Sequence, residues 1–161
     1  MLAACLSKPR PTEGLWLMGR NGRGKTHLAV GILRAITSPR VKIRFINVPE
    51  FLAEMKASFS EGPGSNANVL LDKCKTADVL VMDDLGQERS TEWVIDTLGA
   101  MVFHRHREAL PIIITTNLSA DEVFARADGK ENAAGANLGA IYSRLRESMM
   151  GNTFFLDGDD Y

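Results

Sequence analysis

Long apolar runs are missing from this chain: none approaches the ~20 residues that a bilayer-spanning helix requires, and the opening MLAACLSKPRP lacks the apolar core of a signal peptide. Cysteine is scarce. Cys5 and Cys74 stand far apart, which excludes a disulfide framework and offers no metal-ligand spacing. An excess of charge is lacking too, with 19 Lys and Arg against 20 Asp and Glu and a formal net charge of −1. A stand-alone DNA-binding domain carries a basic footprint. Here any nucleic-acid contact has to come from a local patch or from several subunits acting together. No internal repeat or second domain is legible, so residues 1–161 are expected to form one domain of a reduced, cytoplasmic protein.

What the chain does contain is alternation. Five short runs rich in branched or aromatic apolar residues read as strands: Leu15–Met18, Val41–Ile46, Val79–Met82, Ile112–Thr116 and Thr153–Leu156. Segments of helical period lie between them. Leu28, Ile32 and Ile36 recur every four residues, and Pro39 closes that segment. Glu50–Phe59 carries Phe51, Leu52, Met55 and Phe59 on one face, with Asn47 as cap and Pro49 in the first turn. Ser90–Phe103 is expected to be helical with Ser90 or Thr91 as cap, and Ser119 to Glu122 reads as a capping box. Leu138, Ile141, Tyr142, Leu145 and Met149 form a last stripe. The pattern predicts an α/β fold, a parallel sheet with helices on both faces. Ser60–Ala67 reads as a flexible loop and Ala125–Asn137 as a mobile connection.

The strongest motif is Gly19-Arg-Asn-Gly-Arg-Gly-Lys-Thr26, which fits G-x-x-x-x-G-K-[ST] between a strand and a helix. Its glycines let several N–H groups converge on a phosphate, and the following helix adds its positive end. Gly19, Asn21, Gly22, Arg23, Gly24, Lys25, Thr26 and His27 are the expected ATP-binding residues. Lys25 would reach the β- and γ-phosphates, and the Thr26 hydroxyl would ligate Mg²⁺. A second acidic site follows: the apolar strand Val79–Met82 ends in Asp83 and Asp84. Asp83 suits the metal's water shell, and Asp84 suits orienting or deprotonating the attacking water. Asn117, at the tip of Ile112–Thr116, is placed to position that water, a reading favoured over that of a turn or cap residue.

With these elements in order, the chain resembles an AAA+ ATPase core, and more narrowly the bacterial replicative helicase loaders of the DnaC/DnaI type. The resemblance rests on GLWLMGRNGRGKTHLA, FINVPEFLAEMKASF, ADVLVMDDLGQERSTEW, LPIIITTNLSADEV and IYSRLRESMMGNTFFLDGDDY. It implies a P-loop fold with a five-stranded parallel sheet sandwiched by helices and no C-terminal lid domain. Asp83 and Asp84 match the Walker B pair and Asn117 the sensor-1 position. Arg144 matches an arginine finger acting in a neighbouring subunit's ATP site. The implied activity is hydrolysis of ATP to ADP and phosphate, weak in an isolated monomer. The implied partners are single-stranded DNA, a replicative helicase and further copies of the chain.

The resemblance also points to Lys56, Phe59, Ser90, Thr91 and Trp93 as DNA contacts, since stacking plus a few cations suits sequence-tolerant binding. For Phe59 and Trp93, core packing is the stronger reading. His104 and His106, beside Arg105 and Arg107, read as a basic, solvated helix end rather than a metal site. The N-terminal helicase-gripping region of such loaders and a sensor-2 arginine are not legible. Two other readings compete: an IstB-type transposition-accessory ATPase, and a nucleotide-gated binding module with little turnover.

Overall fold

The computed structural model describes residues 13–60, 66–119, 121–122, 125, 133–149 and 151–157, with no side chain described at 59–60 or 133–136. Five strands are present: β1 (Leu15–Met18), β2 (Ile43–Asn47), β3 (Val79–Asp83), β4 (Ile112–Thr116) and β5 (Thr153–Phe155). They form one sheet in the order β2-β3-β4-β1-β5, with every pairing parallel. The inner strands β1, β3 and β4 are buried at every position, as expected of parallel strands covered on both faces.

The longer helices are α1 (Lys25–Ile36), α2 (Val48–Ser60), α3 (Ala67–Thr76), α4 (Glu92–Arg107) and α5 (Ala133–Met149). Strand order decides where they lie. From β1 the chain crosses to the far edge, β2, and then steps back through β3 and β4 and over β1 to β5. Right-handed crossovers in opposite directions place their helices on opposite faces. Leu15, Leu17, Val79, Val81 and Ile113 therefore pack on α1, through Ala29, Ile32, Leu33 and Ile36. Trp16, Met18, Leu80, Met82, Ile112 and Ile114 meet residues of α2 to α5 on the other face. There Trp16 stacks on Tyr142 of α5 with ring centroids 6.3 Å apart.

The caps follow the local sequence. Asn47 Oδ1 accepts from Glu50 N at the start of α2, and Thr91 Oγ1 accepts from Val94 N at the start of α4. Ser119 and Glu122 form the reciprocal box, Ser119 N donating to Glu122 Oε2 and Glu122 N to Ser119 Oγ.

Three expectations are corrected. Ala67, assigned to a loop, is fully buried and begins α3, which the sequence reading missed; residues 61–65 lie outside the described residues. The polar stretch Ala125–Asn137 turns helical by Ala133, where α5 begins; residues 126–132 are outside the described set. The end of α4 is a solvated basic tip at Arg107, with His104 and His106 half-buried, but not at Arg105. Arg105 is 0% exposed and donates to the carbonyls of Cys74, Lys75, Ala77 and Pro111 at 2.7–3.2 Å. Its guanidinium ties the end of α3 to the entries of β3 and β4, and burial lowers its pKa to about 10.

Candidate functional site

At the carboxyl ends of β1, β3 and β4 the chain makes a cavity of about 860 Å³, lined by residues 21–28 with Asp84 and Leu156. Ligands of open α/β sheets bind at such strand ends, where the strand order reverses. The loop from β1 to α1 reaches its shape through backbone conformations that suit glycine, φ +143° at Gly19 and +74° at Gly24. Gly24 caps α1 without any side-chain hydrogen bond, and no acidic residue occupies the first turn. The first turn of α1 lines the cavity, and a helix start without a side-chain cap is suited to an anion.

Lys25 is the charged centre. Its Nζ donates to Gly19 O and Arg20 O at 2.8 Å each and to Asn117 Oδ1 at 2.6 Å. Burial pulls its pKa below the usual lysine value, while Asp84 and Asp83 act in the opposite direction. Beside it Thr26 Oγ1 donates to Asp83 Oδ1 at 2.9 Å. Asp84 follows with φ +59°, a conformation that aspartate tolerates better than most residues. Its carboxylate accepts from Asn47 Nδ2 at 3.2 Å.

Residues far apart in sequence therefore converge. The phosphate-loop motif, both acidic residues and Asn117 share one end of the sheet, and His27 lines the same cavity. Arg144 does not join them: it is exposed on α5, where Nη1 pairs with Glu147 Oε2 at 2.8 Å and holds that carboxyl below its usual pKa. Lys56, Ser90 and Thr91 are exposed, and Trp93 packs partly buried against the core. Phe59 lies on α2 with its side chain outside the described residues.

The sequence reading missed Asn47 as a partner of Asp84, Leu28 and Leu156 as walls, and Thr115. The signal for Asn47 was its place at the tip of β2, level with Asp83 in the parallel register. Leu156 had no local signal; its amide bonds Met18 O and brings β5 against the loop.

Donor chemistry fits a small hard cation. A hydroxyl and a carboxylate already share a hydrogen bond under the loop, and among the described residues no cluster of three His, Cys, Asp or Glu exists to cage a metal alone. Magnesium is commonly bound in this way, through one or two carboxylates with phosphate and water completing the shell.

The model of the family described as IstB-like ATP binding protein matches residues 2–141. The replicative helicase loader DnaI of Bacillus subtilis is 32% identical over 132 residues, 78% of this chain and 42% of DnaI. The replicative helicase loader DnaC of Escherichia coli is 26% identical, over 65% of this chain and 42% of DnaC. The chain thus spans about two fifths of the length of these relatives. A crystal structure of DnaI superposes with a TM-score of 0.77 at 26% identity, over 99% of this chain and 79% of that one. No described helix is long and apolar enough to cross a membrane.

Proposed function

The chain belongs to the family of IstB-like ATP binding proteins, with the AAA+ P-loop fold of the helicase loaders, and from that premise we propose that it hydrolyses ATP as a helicase-loader core on single-stranded DNA. The observation that carries the reading is the setting of Lys25. A buried ammonium that donates to three carbonyl-type oxygens stands at the edge of a cavity lined by the first turn of α1. Phosphate oxygens are better acceptors for it than those carbonyls, because they carry charge.

In this reading the loop from Gly19 to His27 wraps the phosphates. Lys25 leaves Asn117 for the β- and γ-phosphate oxygens, which frees the Asn117 amide to hold the attacking water. Asp84 orients that water and takes its proton, and Asn47 fixes the direction of its carboxylate. Thr26 and Asp83 hold Mg²⁺, which when bound neutralises charge on the phosphates. Arg144, exposed and outside its own cavity, serves the γ-phosphate of a neighbouring copy. Lys56, Phe59, Ser90, Thr91 and Trp93 are the candidate DNA contacts, and a replicative helicase is the partner. The described residues are taken to be one ATPase domain.

The test is ATP turnover across protein concentration, with and without single-stranded DNA, for the unsubstituted chain, Lys25→Ala and Arg144→Ala. A rate per subunit that rises with concentration and DNA, is lost in both variants, and returns when the two variants are mixed, is the expected result. Tight ATP binding without turnover under every condition would replace this reading with a nucleotide-gated module. The family description favours a second reading, an IstB-type ATPase acting on duplex DNA for a transposase. Stimulation by duplex over single-stranded DNA would select it.

A further inference from the structure

Thr115 is fully buried on β4 and does not itself line the cavity, yet it grips both acidic residues. Its Oγ1 donates to Asp83 Oδ1 at 2.7 Å and accepts from Asp84 N at 3.0 Å. Its carbonyl accepts from Leu85 N at 3.0 Å. The next residue, Thr116, holds the same turn by another route: Oγ1 donates to Leu85 O at 2.6 Å and accepts from Leu118 N at 3.1 Å.

From this geometry we infer that Thr115 is the positioning residue of the acidic pair, setting which oxygen of Asp83 faces a bound cation. The inference rests on the ATPase reading of the site. Two hydroxyls, from Thr26 and Thr115, reach the same oxygen, Oδ1. That double donation anchors Oδ1 beside Thr26, on the side where a cation would be held. Thr26 is itself the expected metal ligand: a lone pair of its oxygen would go to the cation while its proton stays on Oδ1, so its position would follow the cation. Thr115, which is no metal ligand, supplies the donor that does not depend on the cation. The same hydroxyl closes on Asp84 N, and so pins the left-handed turn (φ +59°) that aims the second carboxylate. One side chain thereby sets both acids without contacting substrate. A valine there keeps the shape and removes the donor; a serine keeps the donor.

The experiment titrates a fluorescent ADP analogue into the full chain, in EDTA and in saturating Mg²⁺, and reads the ratio of the two affinities. The unsubstituted chain is expected to bind more tightly with magnesium. Thr115→Val should keep its EDTA affinity and lose about tenfold of the magnesium gain, the worth of one hydrogen bond to a charged group. Thr115→Ser should restore the gain. Thr116→Val, which loosens the turn without touching Asp83, should melt at lower temperature and keep it. If Thr115→Val does not fold, the smaller Thr115→Ala takes its place in the same titration. A normal magnesium response in the Thr115 variant, or an equal loss in Thr116→Val, overturns the assignment and leaves the ATPase reading standing. Failure of the unsubstituted chain to bind nucleotide even in saturating Mg²⁺ defeats the ATPase reading itself.

Discussion

Lys25 and Arg105 are both buried cations, and they sit at opposite ends of the same sheet. Each donates to oxygens of the protein. Arg105 spends its planar fork on four backbone carbonyls that belong to three segments, and nothing about that set is exchangeable. Lys25 gives its three donors to two loop carbonyls and one side-chain amide, all at the border of an open cavity. The same compensation of a buried charge thus serves permanence at one end and replacement at the other. What differs is the geometry of the head group and whether a better acceptor can enter.

The contrast can be broken most forcefully at Arg105. Arg105→Met should cost about 4 kcal/mol of folding stability, because carbonyls lose a charged donor in a place that water does not reach. Urea denaturation measures it. Arg105→Lys should recover only part, since an ammonium has three donors and no fork. Lys25→Ala should do the reverse, leaving the denaturation midpoint nearly unchanged while nucleotide affinity falls about a hundredfold, as read by equilibrium titration.

Gly19→Ala sharpens the picture of the site end. An added Cβ there would stand 2.5 Å from the carbonyl oxygen of Leu156, on a backbone of φ +143°. A loss of about 2 kcal/mol in thermal unfolding is expected, with nucleotide affinity falling in parallel. The smallest effect is in pH. Both cations have folded pKa values below their unfolded ones, so the unfolded chain binds more protons and stability rises with pH. For Lys25 the gain accrues as pH climbs from the lowered value toward 10.5; for Arg105 it accrues only between about 10 and 12.5. Denaturation between pH 8 and 10.5, compared with Lys25→Met, should therefore show a slope that the variant lacks, whereas the Arg105 contribution stays nearly constant across most of that range.

These two residues also mark how far sequence reaches. Lys25 was legible because its motif is contiguous and its flanks carry strand and helix periods. Asp83, Asp84 and Asn117 were legible because the tips of apolar runs in an alternating α/β pattern must gather at one end. Arg105 was not, since its acceptors come from the end of α3 and the entries of β3 and β4, which only the assembled sheet brings together. Helix α3 was missed for a different reason. Ala67, Leu70, Leu71 and Cys74 do follow a helical spacing, but the Gly- and Ser-rich stretch before them masked it and no helix was assigned there. Thr115 read simply as a β-branched strand residue; its hydroxyl acquires a task only through the register of β4 beside β3.

The seat of Leu156 carries a practical consequence. This residue closes one side of the nucleotide cavity, and Asp157, next along the chain, is exposed. A small environment-sensitive dye on an Asp157→Cys variant would stand at the lip of the cavity and report its filling optically, without labelled nucleotide. Buried Cys74 would not compete for the dye, and Cys5→Ser would remove the remaining thiol.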